Sequence, residues 1–545
     1  MLKTEDTTMA NIIPMPKNIV ETNDYFSFNK SEATCFISPE LSDISEMLEE
    51  VMHCQFKEDK SAACISFIFD PDEGKESYSL IVDKSGARVF ASCYTGAFYG
   101  LQTLRQLFGC DIENKKILSS NFVKITNDSP RFGWRGLQLD ESRHFFGKET
   151  VKKLLDFMAM YKLNVFHWHL TDDQGWRIEI KKYPLLTEIG SKRVGTQLKN
   201  WKSTEVDPAP VEGYYTHEDI KEIVEYAKKR CIDIIPEIDF PAHSAAALAA
   251  YNQLACREIP WEVPGYFGGR IPTSKGIKDW NRPLCLGKDS VYDFVYEVLD
   301  EVAGLFPFEY FHVGGDEAPR DEWKKCPACQ AKMKQEGLED ETALQGYFTN
   351  CINEHLKSIG KTLVGWNEVL AAKLIDRDVV AQYWTPGKDK NVTEHLKKGG
   401  KVVLSCHKAF YFDMKYSYAS VKNAYTFDPT KNNVPKECLG SVLGLEGENW
   451  TEWTDSEEQL FFKLSLRSLA LAECAWTDES SKDYKNFLSR LQAHKALLRA
   501  NGIYCGADEV TFGKNAIKRA LLAKKAGTSP DDYDCEYRMS KTVEP

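Results

Sequence analysis

Asp316 and Glu317 close the stretch "YFHVGGDE", which runs from Tyr310 through apolar and β-branched residues to two glycines and then two adjacent acids. Paired carboxylates are equipment for acid/base chemistry, in which one gives up a proton while the other answers positive charge. On a strand, however, consecutive side chains point to opposite faces. Both acids reach one site only if the strand has ended and the backbone turns. Gly314 and Gly315 permit that turn and leave room for a ligand. An acidic surface turn is the plain alternative, and the apolar "YFHV" ahead of it argues against exposure.

The ends of other apolar runs carry related chemistry. They bring Asp140 and Arg143, His167 to Asp173, Glu237 to His243, Trp366 to Glu368, Tyr383 and Trp384, Tyr411 and Asp413, and Trp450 to Glu452. Acids and indoles dominate this inventory. Carboxylates and arginine hydrogen-bond hydroxyls, and aromatic faces cover the apolar side of a pyranose ring, so the mixture suits a sugar site. Trp366, Trp384 and Trp450 could equally be core residues, since indoles are highly buried on average. Their places at run ends, beside polar residues, favour the site. A second chemistry competes, because "HWHLTDD" sets His167 and His169 on one side of a strand, as metal-dependent barrel hydrolases do, with His243 and His312 as further ligands. Asp172, Asp173 and Trp450 fit hydroxyl recognition better, and His167 is read as a hydrogen-bonded core residue.

Eight runs must position these residues: "RGLQLD", "NVFHWHLT", "IDIIPEIDF", "YFHVGGDE", "TLVGWNE", "VVAQYW", "VVLSCHKAFYFD" and "SVLGLEGENW". Amphipathic segments separate them, such as "KETVKKLLDFMAMYK", where Val151, Leu154, Leu155 and Met158 share a face. This alternation marks βα units on a parallel sheet. Eight of them in about 320 residues suit an α/β fold of the TIM-type (β/α)8 class, whose site lies at the C-terminal strand ends. The barrel is placed at 130–500, with Thr454 to Ala500 as closing helices. Ahead of it, 12–127 reads as a small α+β domain. There "CISFIFD" and "YSLIVDKSGARVFAS" are strands, the second folded at Lys84 to Gly86. A helix in "GAFYGLQTLRQLF" lays Phe98, Leu101, Leu104, Leu107 and Phe108 on one face. "NDSPRFGWRG" marks the boundary. Residues 501–545 form a C-terminal segment whose polar tail after Pro530 is expected to be mobile.

The chain has 545 residues, 43% of them hydrophobic, and a formal net charge of -12, which argues against nucleic acid as a partner. No run approaches the roughly 18 apolar residues that span a bilayer. The start "MLKTEDTTMANIIPMPKN" lacks the apolar core of a signal peptide, which leaves the location open between cytoplasmic, as the sequence stands, and exported, if a leader has been removed. The 16 cysteines are scattered, most of them in apolar runs, and read as buried reduced thiols. The tight pair Cys326 and Cys329 in "CPACQ" resembles half a zinc site or a redox pair. With no second pair nearby in the sequence, a purely structural role is expected.

In their joint order these motifs resemble glycoside hydrolase family 20, the β-N-acetylhexosaminidases. "HVGGDE" is similar to the family's catalytic motif, and "RGLQLDESRHFF", "NVFHWHLTDDQGWR", "GWNE", "QYW", "YFDMKY" and "NWTEW" keep the family's order and spacing over about Gly133 to Trp453. "IIPMPKNI" and "GAFYGLQTLRQLF" are similar to its N-terminal accessory domain. The family's common Pro-Gly-His reads "PAH" here at 241–243.

By this resemblance Glu317 is the general acid/base, and Asp316 orients and polarises the substrate's own 2-acetamido group. No nucleophile from the protein is then needed, unlike retaining enzymes that hold two carboxyls about 5 to 5.5 Å apart. Trp366, Trp384 and Trp450 wall the acetamide methyl and the sugar face, with Tyr411 donating to the acetamide oxygen. Arg143, Asp413 and Glu452 bind sugar hydroxyls, and Asp172 with His243 forms a hydrogen-bonded chain reaching toward Glu317. A neighbouring charge and partial burial are expected to raise the Glu317 pKa. The implied reaction is exo-acting, retaining release of terminal N-acetylglucosamine, with N-acetylgalactosamine as the second candidate, from an N-acetylated glycan or glycoconjugate. No metal or organic cofactor is implied. The competing readings are a metal-dependent barrel hydrolase and a catalytically inactive carbohydrate-binding protein, which would not require both Asp316 and Glu317.

Overall fold

The computed structural model describes residues 10–544, apart from 60, 110–111, 268–269, 274–275, 280–281 and 386–388. Eight parallel strands close into a barrel in chain order: β1 Trp134–Asp140, β2 Val165–His169, β3 Asp233–Glu237, β4 Tyr310–His312, β5 Thr362–Trp366, β6 Val380–Tyr383, β7 Val402–Leu404 and β8 Val442–Gly447. Each apolar run read from the sequence supplies one strand. The seventh run is shorter than it reads, because β7 ends at Leu404 and a helix at His407–Phe410 comes next. Tyr411 and Asp413 therefore project from a loop, held to the barrel by an isolated bridge between Tyr411 and Glu448.

Strand alternation sorts every β residue to the barrel interior or to the surrounding helices. Trp134, Val165, Ile235, Val364, Val380 and Val403 point inward and pack together as an apolar plug at the N-terminal end. Two residues further along, the inward positions turn polar: His167 succeeds Val165, Glu237 succeeds Ile235, Trp366 succeeds Val364, and Gln382 succeeds Val380. These groups bond to one another. Glu446 Oε1 lies 2.7 Å from His167 Nδ1 and accepts from Gln382 Nε2 at 2.7 Å, while Trp366 Nε1 donates to Glu237 at 2.8 Å. Gly136 makes room, since a Cβ there would stand 2.2 Å from Glu446 Oε2. The plug stabilises by apolar burial, and the paired layer above it carries polar side chains up to the floor of the site.

The N-terminal unit is a seven-stranded sheet with Tyr78–Asp83 and Gly86–Ala91 forming the expected hairpin. The helix Tyr94–Phe108 buries Phe98, Leu101, Leu104 and Phe108 against it. Two further long strands, Ile19–Asn29 and Ile117–Asp128, pair with each other. Arg135 ties this unit to the barrel through Glu76 at 2.8 Å and by donating to the Tyr99 hydroxyl at 2.9 Å. The closing helices are Glu457–Trp476 and Tyr484–Ala500.

Two more sequence expectations change. The segment after Pro530, read as a mobile tail, ends in a helix at Cys535–Val543 with Cys535, Met539 and Ser540 buried. Glu536 on this helix accepts from the Tyr416 backbone N–H. The Cys326 and Cys329 pair is not without partners, because Cys256 and Cys285 fold onto it. Chain separation hid that meeting. Among the described residues no helix is long and apolar enough to cross a membrane.

Candidate active site

The turn after β4 does what its glycines allow. The chain still pairs with β5 at Gly314, whose carbonyl accepts from Trp366 N–H at 2.9 Å. Gly314, Gly315 and Glu317 then take φ values of 66°, 95° and 46°. Only glycine fits the first of these, because a Cβ at Gly314 would stand 1.8 Å from Asp239 Oδ1. Glu317 holds a left-handed conformation that costs roughly 1 to 2 kcal/mol for a residue with a Cβ. The result separates the two acids: the Asp316 side chain is 14% exposed and that of Glu317 is 57% exposed.

His243 connects them to a buried ion network. Its Nε2 lies 3.6 Å from Asp316 Oδ2 and 3.7 Å from Glu317 Oε2, and its Nδ1 lies 3.1 Å from Asp172 Oδ1. Asp172 in turn meets Arg143 Nη2 at 2.8 Å and His169 Nε2 at 3.0 Å. Burial would favour a neutral Asp172, yet Arg143 and His243 outweigh it and hold the carboxyl well below the usual range. Burial likewise opposes charge on His243, and Asp172 with Asp316 overcomes it and raises the imidazole well above its ordinary value. Asp316 is pushed up to about 6 by burial, with His243 opposing and Glu317 adding to the rise. Glu317 does not receive the partial burial expected of it, since its side chain stands in the open cleft.

The walls are aromatic. Trp384 and Tyr411 stack with ring centroids 5.7 Å apart, and Tyr411 stands 6.4 Å from Trp450. Trp384 Nε1 donates to Glu368 at 2.9 Å. Asp413 and Glu452 face the same space. Burial and then Glu452 raise Asp413 to about 7, and its Oδ1 is buried without a hydrogen-bond partner, as is Asp316 Oδ1. Such orphaned oxygens in a cleft are suited to accept from ligand hydroxyl or amide groups.

These residues share a cleft of about 240 Å³. Of the residues singled out from the sequence, Arg143, Asp172, His243, Asp316, Glu317, Trp384, Tyr411, Asp413, Trp450 and Glu452 line it. Trp366 does not. It is 1% exposed and packs beneath the floor, 5.7 Å from Trp450 and bonded to Glu237. Sequence reasoning missed Trp201, Trp453 and Tyr533, which close one side. Tyr533 stacks on Trp453 at 4.4 Å and accepts from Trp201 Nε1 at 3.1 Å. Asp239, read from the sequence only as part of the run end Glu237 to His243, receives the Gly315 N–H at 3.2 Å.

His167 is buried between Glu446 and Glu237, with Nε2 3.1 Å from the latter. His169 turns its two ring nitrogens to Glu237 and Asp172. The two imidazoles thus meet at Glu237 Oε2, which joins the barrel's internal network to the Asp172 chain.

Comparison with known proteins agrees with this geometry. The family model described as glycosyl hydrolase family 20, catalytic domain, matches residues 132–479, and the model for domain 2 of that family matches 9–121. A β-hexosaminidase of Porphyromonas gingivalis is 37% identical over 90% of this chain and 64% of its own length. One of Vibrio furnissii is 31% identical over 86% and 76%. This chain thus spans less than two thirds of the first of these relatives. Among solved structures, the exo β-N-acetylglucosaminidase of Vibrio harveyi in complex with N-acetylglucosamine superposes with a TM-score of 0.78 at 31% identity, covering 91% of this chain and 78% of that one. The β-N-acetylhexosaminidase of Bacteroides fragilis gives 0.78 at 28% identity over 92% and 99%. With both family models matched in order around a cleft that ends in Asp316 and Glu317, the chain belongs to glycosyl hydrolase family 20.

Proposed function

We propose that this chain is an exo-acting, retaining β-N-acetylhexosaminidase that releases terminal N-acetylglucosamine, with N-acetylgalactosamine as the second sugar, from N-acetylated glycans. The observation that carries the reading is the split pair: Asp316 largely buried, Glu317 exposed at the mouth, and His243 Nε2 within 3.7 Å of both. In this reading Glu317 gives its proton to the leaving glycosidic oxygen. The acetamide oxygen of the same sugar closes onto the anomeric carbon, and its nitrogen gains positive charge. Asp316 answers that charge from the floor, where low dielectric strengthens the interaction. Glu317 then takes a proton from water as the cyclic intermediate opens. The nucleophile is already tethered, so no second reactant must be ordered.

The Asp172 to His243 chain supports the pair. A cationic His243 beside Asp316 helps keep that carboxyl ionised near neutral pH. Trp384, Tyr411 and Trp450 enclose the acetamide, and Arg143, Asp413 and Glu452 take the hydroxyls. The supporting relatives are named for this activity, and one solved neighbour holds N-acetylglucosamine. The test is a pair of measurements. A β-glucoside lacking the acetamide should scarcely react, and a thiazoline mimic of the cyclised intermediate should bind far tighter than the product sugar. Comparable turnover of glucoside and N-acetylglucosaminide would refute the reading.

A further inference from the structure

Four cysteines from three separate stretches of the chain meet in the connections after β3 and β4. Cys326 and Cys329 come from the start of the helix Pro327–Glu336, Cys285 precedes the helix Asp289–Ala303, and Cys256 lies in the connection after β3. Their four sulfurs all lie within 4.8 Å of one another. Cys285 Sγ stands 3.6 Å from that of Cys326 and 3.7 Å from that of Cys329, and Cys256 Sγ stands 3.8 Å from that of Cys329. A disulfide would bring two sulfurs to about 2.0 Å. Four thiolates around a tetrahedral zinc ion with Zn–S bonds of about 2.3 Å stand about 3.8 Å apart. The observed separations match the second figure.

The backbone is built for this packing. Gly287, two residues after Cys285, presses on the peptide between Ala328 and Cys329, where a Cβ would stand 2.2 Å from the Cys329 nitrogen. That contact requires glycine. Trp323 Nε1 donates to the Leu284 carbonyl at 2.9 Å, fixing the Cys285 segment against the helix ahead of Cys326. Cys285, Cys326 and Cys329 are buried, and Cys256 closes the group on its open side.

We propose that Cys256, Cys285, Cys326 and Cys329 bind one zinc ion in a closed tetrathiolate site. The four thiols lose their protons on binding, and no coordination position is left for substrate or water, so the ion is structural rather than catalytic. Its position gives it a task. Cys256 belongs to the connection after β3, which carries Asp239 and His243, and Cys326 stands nine residues beyond Glu317 in the connection after β4. The ion clips these two connections together. It thereby helps hold Glu317 in its left-handed conformation beside His243.

The full chain, purified under reducing conditions from zinc-supplemented culture and dialysed, should contain one zinc per chain, and X-ray absorption at the zinc edge should show four sulfur neighbours near about 2.3 Å. Titrating its thiols with a mercurial should release that zinc stoichiometrically. Replacing zinc by cobalt should produce the intense ligand-field and thiolate charge-transfer bands of a tetrahedral sulfur site. Cys256→Ser alters the least buried ligand and should weaken zinc retention at least tenfold while the chain still folds. Should that variant fail to fold, the absorption spectrum of the unaltered enzyme decides the matter alone. Absence of metal, iron in place of zinc, zinc bound through nitrogen or oxygen, or a disulfide among these four residues in peptide mapping would each overturn the proposal.

Discussion

Asp316 and Glu317 are joined by one peptide bond, yet the first side chain is 14% exposed and the second 57%. The left-handed turn built by Gly314, Gly315 and Glu317 produces this division. It assigns the two acids different dielectric surroundings and therefore different chemistry.

Glu317→Gln should lower turnover roughly 10²- to 10⁴-fold on substrates with poor leaving groups, which need a proton, and much less on aryl glycosides with acidic phenols. Because the side chain is exposed, the melting temperature should barely move. Equal losses on both kinds of substrate would remove Glu317 from the role of acid. Steady-state kinetics on a leaving-group series makes the measurement.

Asp316 yields a paired prediction for pH. Burial disfavours its charge and pushes the carboxyl up to about 6 in the fold, above the ordinary 3.8. The folded state therefore holds the proton more tightly than the unfolded chain. Stability is lost as pH rises from about 4 to about 6 and stays lost above, by at most about 3 kcal/mol. Asp316→Asn should slow turnover yet raise the melting temperature at about pH 7, with the gap closing below about pH 4. In the unaltered enzyme kcat/KM should fall as pH drops through about 6, when Asp316 loses its charge. Thermal melts across pH and a pH-rate profile check both halves.

Trp366 and Trp450 test where the floor ends. Trp366→Ala removes a buried indole and should cost about 3 to 5 kcal/mol of stability. Trp450→Ala opens the wall of the cleft and should raise KM with a smaller change in stability. A reversed pattern in calorimetry and kinetics would move the site boundary.

Tyr533 reaches the cleft from the C-terminal segment and stacks on Trp453. Tyr533→Phe keeps the ring and should leave KM nearly unchanged. Tyr533→Ala should weaken binding by about 0.5 to 1.5 kcal/mol, a rise in KM of roughly twofold to tenfold. An unaffected KM in the alanine variant would detach this segment from substrate binding.

Much of this architecture is legible in the sequence because parallel strands are buried on both faces and announce themselves as short apolar runs. Since a barrel site sits at the C-terminal strand ends, Arg143, Asp172, Asp316 and Trp450 can be located from their places at or just past the end of a run. Other features depend on contacts that leave no local period. Trp366 sits at a run end like Trp384, but its inward position on β5 places it under the floor, where Glu237 takes its N–H. Trp201 and Tyr533 come from segments outside the barrel rhythm. Cys256 and Cys285 carry no spacing signal toward Cys326, since the loops that bring them together are long. β7 is overread at its end because "CHKAFYFD" is apolar enough to pass for strand, while its backbone closes a helix at His407–Phe410.

The proposed mechanism places the nucleophile on the substrate. Successive fluorination of the N-acetyl methyl in a series of aryl N-acetylglucosaminides withdraws electrons from the acetamide oxygen and leaves the glycosidic bond and its leaving group unchanged. If that oxygen attacks the anomeric carbon, kcat should fall steeply with each fluorine, and enzyme quenched during turnover should carry no sugar on any carboxylate. A flat dependence on fluorine, accompanied by a glycosyl ester on Asp316 or another acid in the mass spectrum, would contradict it.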